Sequence, residues 1–252
     1  MIDTYVISLE RARIRRQHIQ KHFRSFLRKY EIVNAIDAQD FEVEQIKSLV
    51  AQDRRDWTNY LRPGAVCCAL SHMRAYETFL STDAEHCLVL EDDAELAISR
   101  KEYEHILERL INIDVDVIVF ASFSIKKVVL QQHTVVSKNF QLFIANADDA
   151  PGGAVAYLIK REAARKILKY NNPVRDTADA WQSYIDNIGL KVLFLKPHIF
   201  RQANLGSTID YVDRNSLLKR ISPNWLRALK RAYLNHKIKN NVKLSRRIKR
   251  IT

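Results

Sequence analysis

Glycine is scarce in this chain, with five in 252 residues, and none of them sits in a GxGxxG or GxxxxGK[ST] pattern. The dinucleotide fingerprint and the P-loop are therefore absent, as are the GxSxG elbow and the HExxH helix. Phosphate, if bound, has to be held by something other than a glycine-rich loop, and a metal ion is the natural substitute. Cysteine is equally sparse: three, two of them adjacent at Cys67 and Cys68, form neither a disulfide framework nor a CxxC zinc pattern, which suits a reducing compartment. No apolar run approaches the roughly 18–20 residues of a membrane span. The opening MIDTYVISLERARIRR places its apolar run before its charge, the reverse of a secretory signal, so a cytoplasmic address is expected. Acidic residues are missing altogether from Arg214 to the end, where thirteen of the 41 Lys and Arg residues lie. The remaining 28 face 29 acids in residues 1–213. The body is close to neutral and the excess of +12 belongs to the tail.

The strongest positive signal is Cys87 to Leu96, CLVLEDDAEL. A short β-prone apolar run reads as a buried central strand, and it ends in Glu91, Asp92 and Asp93. Ligands of α/β sheets gather at the carboxyl ends of strands. Three adjacent acids repel one another and raise each other's pKa unless a cation compensates, and carboxylate oxygens suit Mg2+ or Mn2+. The plainer alternative is a solvated strand end or the acidic first turn of a following helix.

Around this strand the pattern alternates. Strands are expected at Thr4 to Leu9, Ile32 to Ile36, Val115 to Phe120, Ala154 to Ile159 and Lys191 to Leu195. Helices are expected at Ile14 to Tyr30, Val43 to Leu49, Ala65 to Ser81, Glu102 to Ile111, Arg161 to Tyr170 and Ala178 to Asn187. The short apolar runs from Val128 to Ile144 read as antiparallel strands. The sum is an α/β domain over 1–213 and a basic helical extension over 214–252. In that extension Trp225, Leu226, Leu229, Tyr233 and Leu234 stand among Lys and Arg. Such a tail reads as an interfacial helix drawn to an anionic membrane surface. Nucleic acid is the competing partner, and a helix serving only solubility is the plain alternative.

Three further groups accompany the acids. Cys68, Ser71 and His72 share about one helical turn just ahead of the acidic strand. Asp148 and Asp149 precede the Pro151-Gly152-Gly153 break, where small residues allow a ligand close to the backbone. Asp176, Asp179 and Trp181 stand at a helix start, where Asp179 is either a cap or a carboxylate turned into a site. Each also has an ordinary reading, as core, turn or cap.

In order and spacing these segments resemble glycosyltransferase family 25, the bacterial lipooligosaccharide galactosyltransferase family that also includes collagen galactosyltransferases. YVISLERARIRR resembles its first strand and Arg-bearing start, NAIDA its AiDg segment, and PGAVCCALSHMRAYE its GxxGCxLSH helix. CLVLEDDAEL resembles its alilEDDv strand, GGAVAYLIKREAARKIL its GxxgYliskxgAxkll unit, and DTADAWQSYIDNIGLKVLFLKPHIFRQ its acidic helix, strand and Pxlxxq close. The likeness spans about residues 1–205. Cys67 and Gln39 stand where the family usually has glycine.

The resemblance implies a GT-A fold, a nucleotide-sugar-binding α/β sandwich. It implies transfer of a hexose, galactose from UDP-galactose first, with inversion, onto a lipooligosaccharide or lipopolysaccharide acceptor sugar. It implies a Mn2+ or Mg2+ ion held by Glu91 and Asp93, with His198 as a late ligand, while Asp92 orients ribose or water. Asp179 is the first candidate base and Asp149 the second. Ser8, Leu9 and Arg13 are candidate nucleotide contacts, and Ser71, His72, Gly153 and Tyr157 line or support the donor. A lipid-linked acceptor gives the basic tail a place, on the inner face of the inner membrane. The rival readings are a metal-dependent nucleotidyltransferase or phosphohydrolase, and a non-enzymatic basic protein that binds nucleic acid.

Overall fold

The computed structural model describes residues 2–55, 61–123, 130–145 and 150–206, all within the first of two units, Met1–Tyr211. Asp149 and the basic tail lie outside the described residues.

Ten strands and six α-helices are described, in the order β1 (Ile2–Ser8), α1 (Arg13–His22), β2 (Glu31–Asn34), α2 (Val43–Ser48), α3 (Pro63–Leu80), β3 (His86–Glu91), β4 (Ala94–Leu96), α4 (Arg100–Leu110), β5 (Val117–Val119), β6 (Leu130–Val135), β7 (Gln141–Ala145), β8 (Ala156–Lys160), α5 (Arg161–Tyr170), α6 (Trp181–Ile188), β9 (Val192–Lys196) and β10 (Phe200–Gln202). Eight strands make one mixed sheet, ordered β2-β1-β3-β8-β5-β9-β7-β6. β1 runs parallel to both β2 and β3, and β5 parallel to β9. β8 runs antiparallel between β3 and β5, and the β6–β7 hairpin closes one edge.

Alternation along β3 shows why helices cover both faces. Leu88 and Leu90 enter one apolar cluster with Ile19 of α1 and Tyr103, Ile106 and Leu110 of α4. Cys87 and Val89 enter another with Tyr76 and Phe79 of α3, Ile167 of α5 and Trp181 and Tyr184 of α6. A strand buried on both faces has to be apolar at every position, so the run breaks into charge only where it leaves the sheet.

One expectation and one alternative reading are corrected here. The helix expected to run from Ile14 to Tyr30 ends at His22 and gives way to a 3-10 turn, Phe23–Ser25. Phe26 leaves the helical path to meet Tyr103 and Phe200 edge-on at 5.6 and 5.7 Å. Ile14, counted in the apolar stripe, is 71% exposed. The acids, moreover, do not start a helix: Asp92 and Asp93 form a turn from β3 into β4, which pairs with β10 in a two-stranded ladder.

Candidate active site

Parallel pairing places the ends of β1 and β3 side by side, with Ile7 opposite Glu91. The antiparallel β8 begins at the same edge, where Glu91 N–H donates to the Val155 carbonyl at 2.9 Å. β5 leads into Phe123, whose N–H donates to Gly152 O at 2.9 Å, and β9, parallel to β5, leads to His198. One sheet edge thus gathers Ser8, the three acids, Gly153 and His198.

The acids are not left to repel each other. Arg15 of α1 reaches Asp92 Oδ1 at 2.5 Å and Asp93 Oδ2 at 3.0 Å. Ser8 Oγ donates to Asp92 Oδ2 at 2.7 Å, and Gln202 Nε2 of β10 donates to Asp93 Oδ2 at 3.0 Å. Burial raises the Asp92 pKa, with Arg15 and Ser8 opposing it, and the net direction is upward. Glu91 also moves upward through burial, partly offset by the imidazole of His72 beside it. One guanidinium against three carboxylates leaves the cluster short of positive charge. Asp93 Oδ1, fully enclosed, has no hydrogen-bond partner, and Glu91 remains 23% exposed at the rim. A hard divalent cation fits that deficit and that unsatisfied oxygen.

The α3 residues take different roles. Ser71 Oγ donates to Cys67 O and accepts from Ile36 N–H at 2.6 and 2.8 Å, so it ties the NAIDA segment to the helix. His72 is 1% exposed. Its Nδ1 lies 2.7 Å from Tyr157 Oη, which lies 2.6 Å from Tyr76 Oη, and its Nε2 faces Glu91 Oε1 at 3.5 Å. Burial holds both phenols protonated, their pKa values pushed up. When Tyr76 donates to Tyr157 and Tyr157 to Nδ1, the imidazole proton sits on Nε2, toward Glu91.

Asp179 stands just before α6. Its Oδ2 accepts from Gly153 N–H at 3.0 Å and its Oδ1 from Thr177 Oγ1 at 2.8 Å, while Trp181 Nε1 donates to Gly153 O at 2.9 Å. Two fixed donors leave further lone pairs on the carboxylate and set its orientation. Gly153 has φ +113°, and a Cβ there would stand 2.8 Å from the Ala121 carbonyl oxygen. Gly153→Ala is therefore expected to cost about 1–3 kcal/mol of stability, read from urea unfolding midpoints. A wild-type midpoint would show that the turn relaxes freely.

Several expected site residues behave otherwise. Arg13 is exposed at the start of α1, and Arg15, two residues on, is the one that meets the acids. Leu9 contributes its carbonyl, which accepts from Arg16 Nε at 3.2 Å. His198 Nε2 faces Lys196 Nζ at 2.5 Å and Ser122 Oγ at 3.0 Å, and burial followed by the lysine charge lowers its pKa to about 4. Glu91 also groups with Cys68 and His72 as a ligand set, and His198 joins no such set among the described residues. Sequence reading missed the roles of Arg15 and Gln202. Arg15 was hidden among four arginines, and its only signal was a helical phase shared with His18 and Ile19.

The family model of glycosyltransferase family 25, described as LPS biosynthesis protein, matches residues 1–186. Among solved structures, one similar chain is a glycosyltransferase involved in the glycosylation of the major capsid of PBCV-1, with TM-score 0.44 and 10% identity over 82% of this chain and 94% of that one. Another is CMP:2-keto-3-deoxy-manno-octonic acid synthetase complexed with CTP, with TM-score 0.36 and 10% identity over 77% and 88%. No curated protein matches the chain. With the family match running from the first strand through the acidic turn to α6, the chain belongs to glycosyltransferase family 25 and is an enzyme that transfers a sugar.

Proposed function

We propose that this enzyme moves a hexose, galactose from UDP-galactose in the first instance, onto an acceptor sugar of a lipid-linked lipooligosaccharide, with inversion at the anomeric carbon. The observation that carries the reading is the meeting, at one sheet edge, of an under-neutralised acidic turn with a separately anchored carboxylate, Asp179. Departure of UDP develops negative charge, and a divalent ion held by Asp93 and Glu91 would supply Lewis-acid stabilisation there. Asp92, enclosed and with both oxygens held by Ser8 and Arg15, keeps the turn in register. Asp179 takes the proton of the attacking hydroxyl, its orientation set by Thr177 and Gly153; Asp149 is the second candidate for that role. The His72–Tyr157–Tyr76 chain holds Glu91 from behind. Phe123, 57% exposed and adjacent to Gly152, offers an apolar face to a sugar ring.

The test is a donor panel. Purified protein with Mn2+ and each common UDP-sugar is followed for UDP release, with and without a lactoside or N-acetylglucosaminide acceptor. Acceptor-stimulated release from one donor is expected, reduced about 10²–10³-fold in Asp93→Ala, the range for losing one preorganised charge-stabilising group. Pyrophosphate or inorganic phosphate as product, or silence across the panel, would overturn the reading.

The tail from Arg214 carries its charge where a lipid-linked acceptor concentrates, at the anionic inner leaflet. Deleting residues from Ser216 onward is expected to shift the protein from the membrane to the soluble fraction while sparing turnover of a short soluble acceptor. Identical fractionation of the two forms would count against a membrane role. Among the described residues no helix is long and apolar enough to cross a membrane.

A further inference from the structure

His18, His22 and Glu95 form a second side-chain cluster that the sugar-transfer chemistry does not use. His18 and His22 are four apart on α1 and so share a face, with ring centroids 4.3 Å apart. Glu95 comes from β4, and one potential ligand atom from each residue lies within 4.8 Å of the others. His18 is 8% exposed, and its Nε2 lies 3.1 Å from the Ala94 carbonyl. A carbonyl can only accept, so Nε2 carries the proton and the Nδ1 lone pair is left for a ligand. Donation of the distal ring N–H to a backbone carbonyl is the usual outer-shell arrangement of metal-bound histidine. Glu95 is also held in place: its Oε2 accepts from Arg201 Nε at 2.9 Å. His22 also lies in the last turn of α1, where the unpaired carbonyls favour a cation.

We infer that His18, His22 and Glu95 form a binding site for a divalent transition metal of the zinc class. Two imidazoles and one carboxylate suit Zn2+, and they do not suit Mg2+, which prefers oxygen ligands and near-octahedral geometry. The site's role follows from what it joins. α1 carries Arg15, and β4 starts immediately after Asp93, so a metal here ties together the two elements whose contact neutralises the acidic turn. The inference does not depend on the identity of the sugar donor.

The test uses the full-length protein titrated with Zn2+ against a chromophoric chelator, and with Co2+ followed by its visible absorption. One equivalent of tight binding and a low-symmetry Co2+ spectrum are expected, together with a rise in Tm on adding Zn2+. His22→Ala, at an exposed position, and Glu95→Gln should each weaken that equivalent by at least about 100-fold, because losing even an outer-shell partner costs 10–100-fold. Cys68→Ser should leave it unchanged, which separates it from the Cys68–His72–Glu91 group at the acidic edge. Equal affinity in the wild type and His22→Ala, no tight binding at all, or loss with Cys68→Ser would each overturn the inference.

Discussion

Replacing Arg15 with methionine is expected to lower the free energy of unfolding by about 3–5 kcal/mol, the range for removing one partner of a buried ion pair. Arg15 is 9% exposed and its partners Asp92 and Asp93 are 6% and 1% exposed, so solvent cannot take over its role. Methionine keeps much of the volume, and the loss then reports the stranded carboxylates rather than a cavity. Burial holds the Asp92 carboxyl above the usual aspartate range, with Arg15 next among its influences and pulling the other way. A raised folded-state pKa means that the folded chain binds more protons than the unfolded one between the ordinary and the raised value, so stability falls as pH rises through that window. Removing Arg15 widens the window upward. The deficit of Arg15→Met should therefore be smaller at pH 5 than at pH 8, as measured by urea unfolding at both. The contrast is the pair of Asp37 with Arg11, whose side chain is 44% exposed, and Arg11→Met should cost no more than about 1 kcal/mol. Equal losses for the two variants, independent of pH, would show that Arg15 is no neutraliser of the acidic turn.

The second large effect is expected on turnover. Asp179→Asn should lower kcat by about 10²–10⁴-fold, the usual contribution of a positioned general base, while donor binding stays near wild type. An asparagine oxygen still accepts from Gly153 N–H or Thr177 Oγ1, so the unfolding midpoint should change little. The informative readout is the split between parameters: kcat should fall while the KM for the donor and the unfolding midpoint stay near wild type. A purely structural role would instead lower the unfolding midpoint and raise KM together. Full retention of kcat would pass the role to Asp149.

How legible the protein was in its sequence depends on the range of the interaction concerned. The strand-helix alternation, the two-face burial of β3 and the acidic break at its end follow from periodicities of two and 3.6 residues, which operate within a single element. Asp179 at a helix start and Gly153 at a break were visible for the same reason. Where the Ile14 to Tyr30 helix stops was not visible, because aromatic packing with Tyr103 and Phe200 overrode a continuous apolar pattern. Nor was the turn after Glu91, because β4 is three residues long and exists only by pairing with β10, more than a hundred residues later.

By itself, then, the sequence determined the class of fold, the end of the sheet at which the acids gather, and the acid residue types assembled there. The tertiary structure alone decided which arginine neutralises them, across 77 residues, and that Gln202 closes on Asp93 across 109. It also turned His198 toward Lys196 and Ser122, and it brought His18 and His22 to Glu95. Each of these outcomes depends on helix phase and strand register relative to a distant partner, and a shift of one residue in either would point a different side chain at the site.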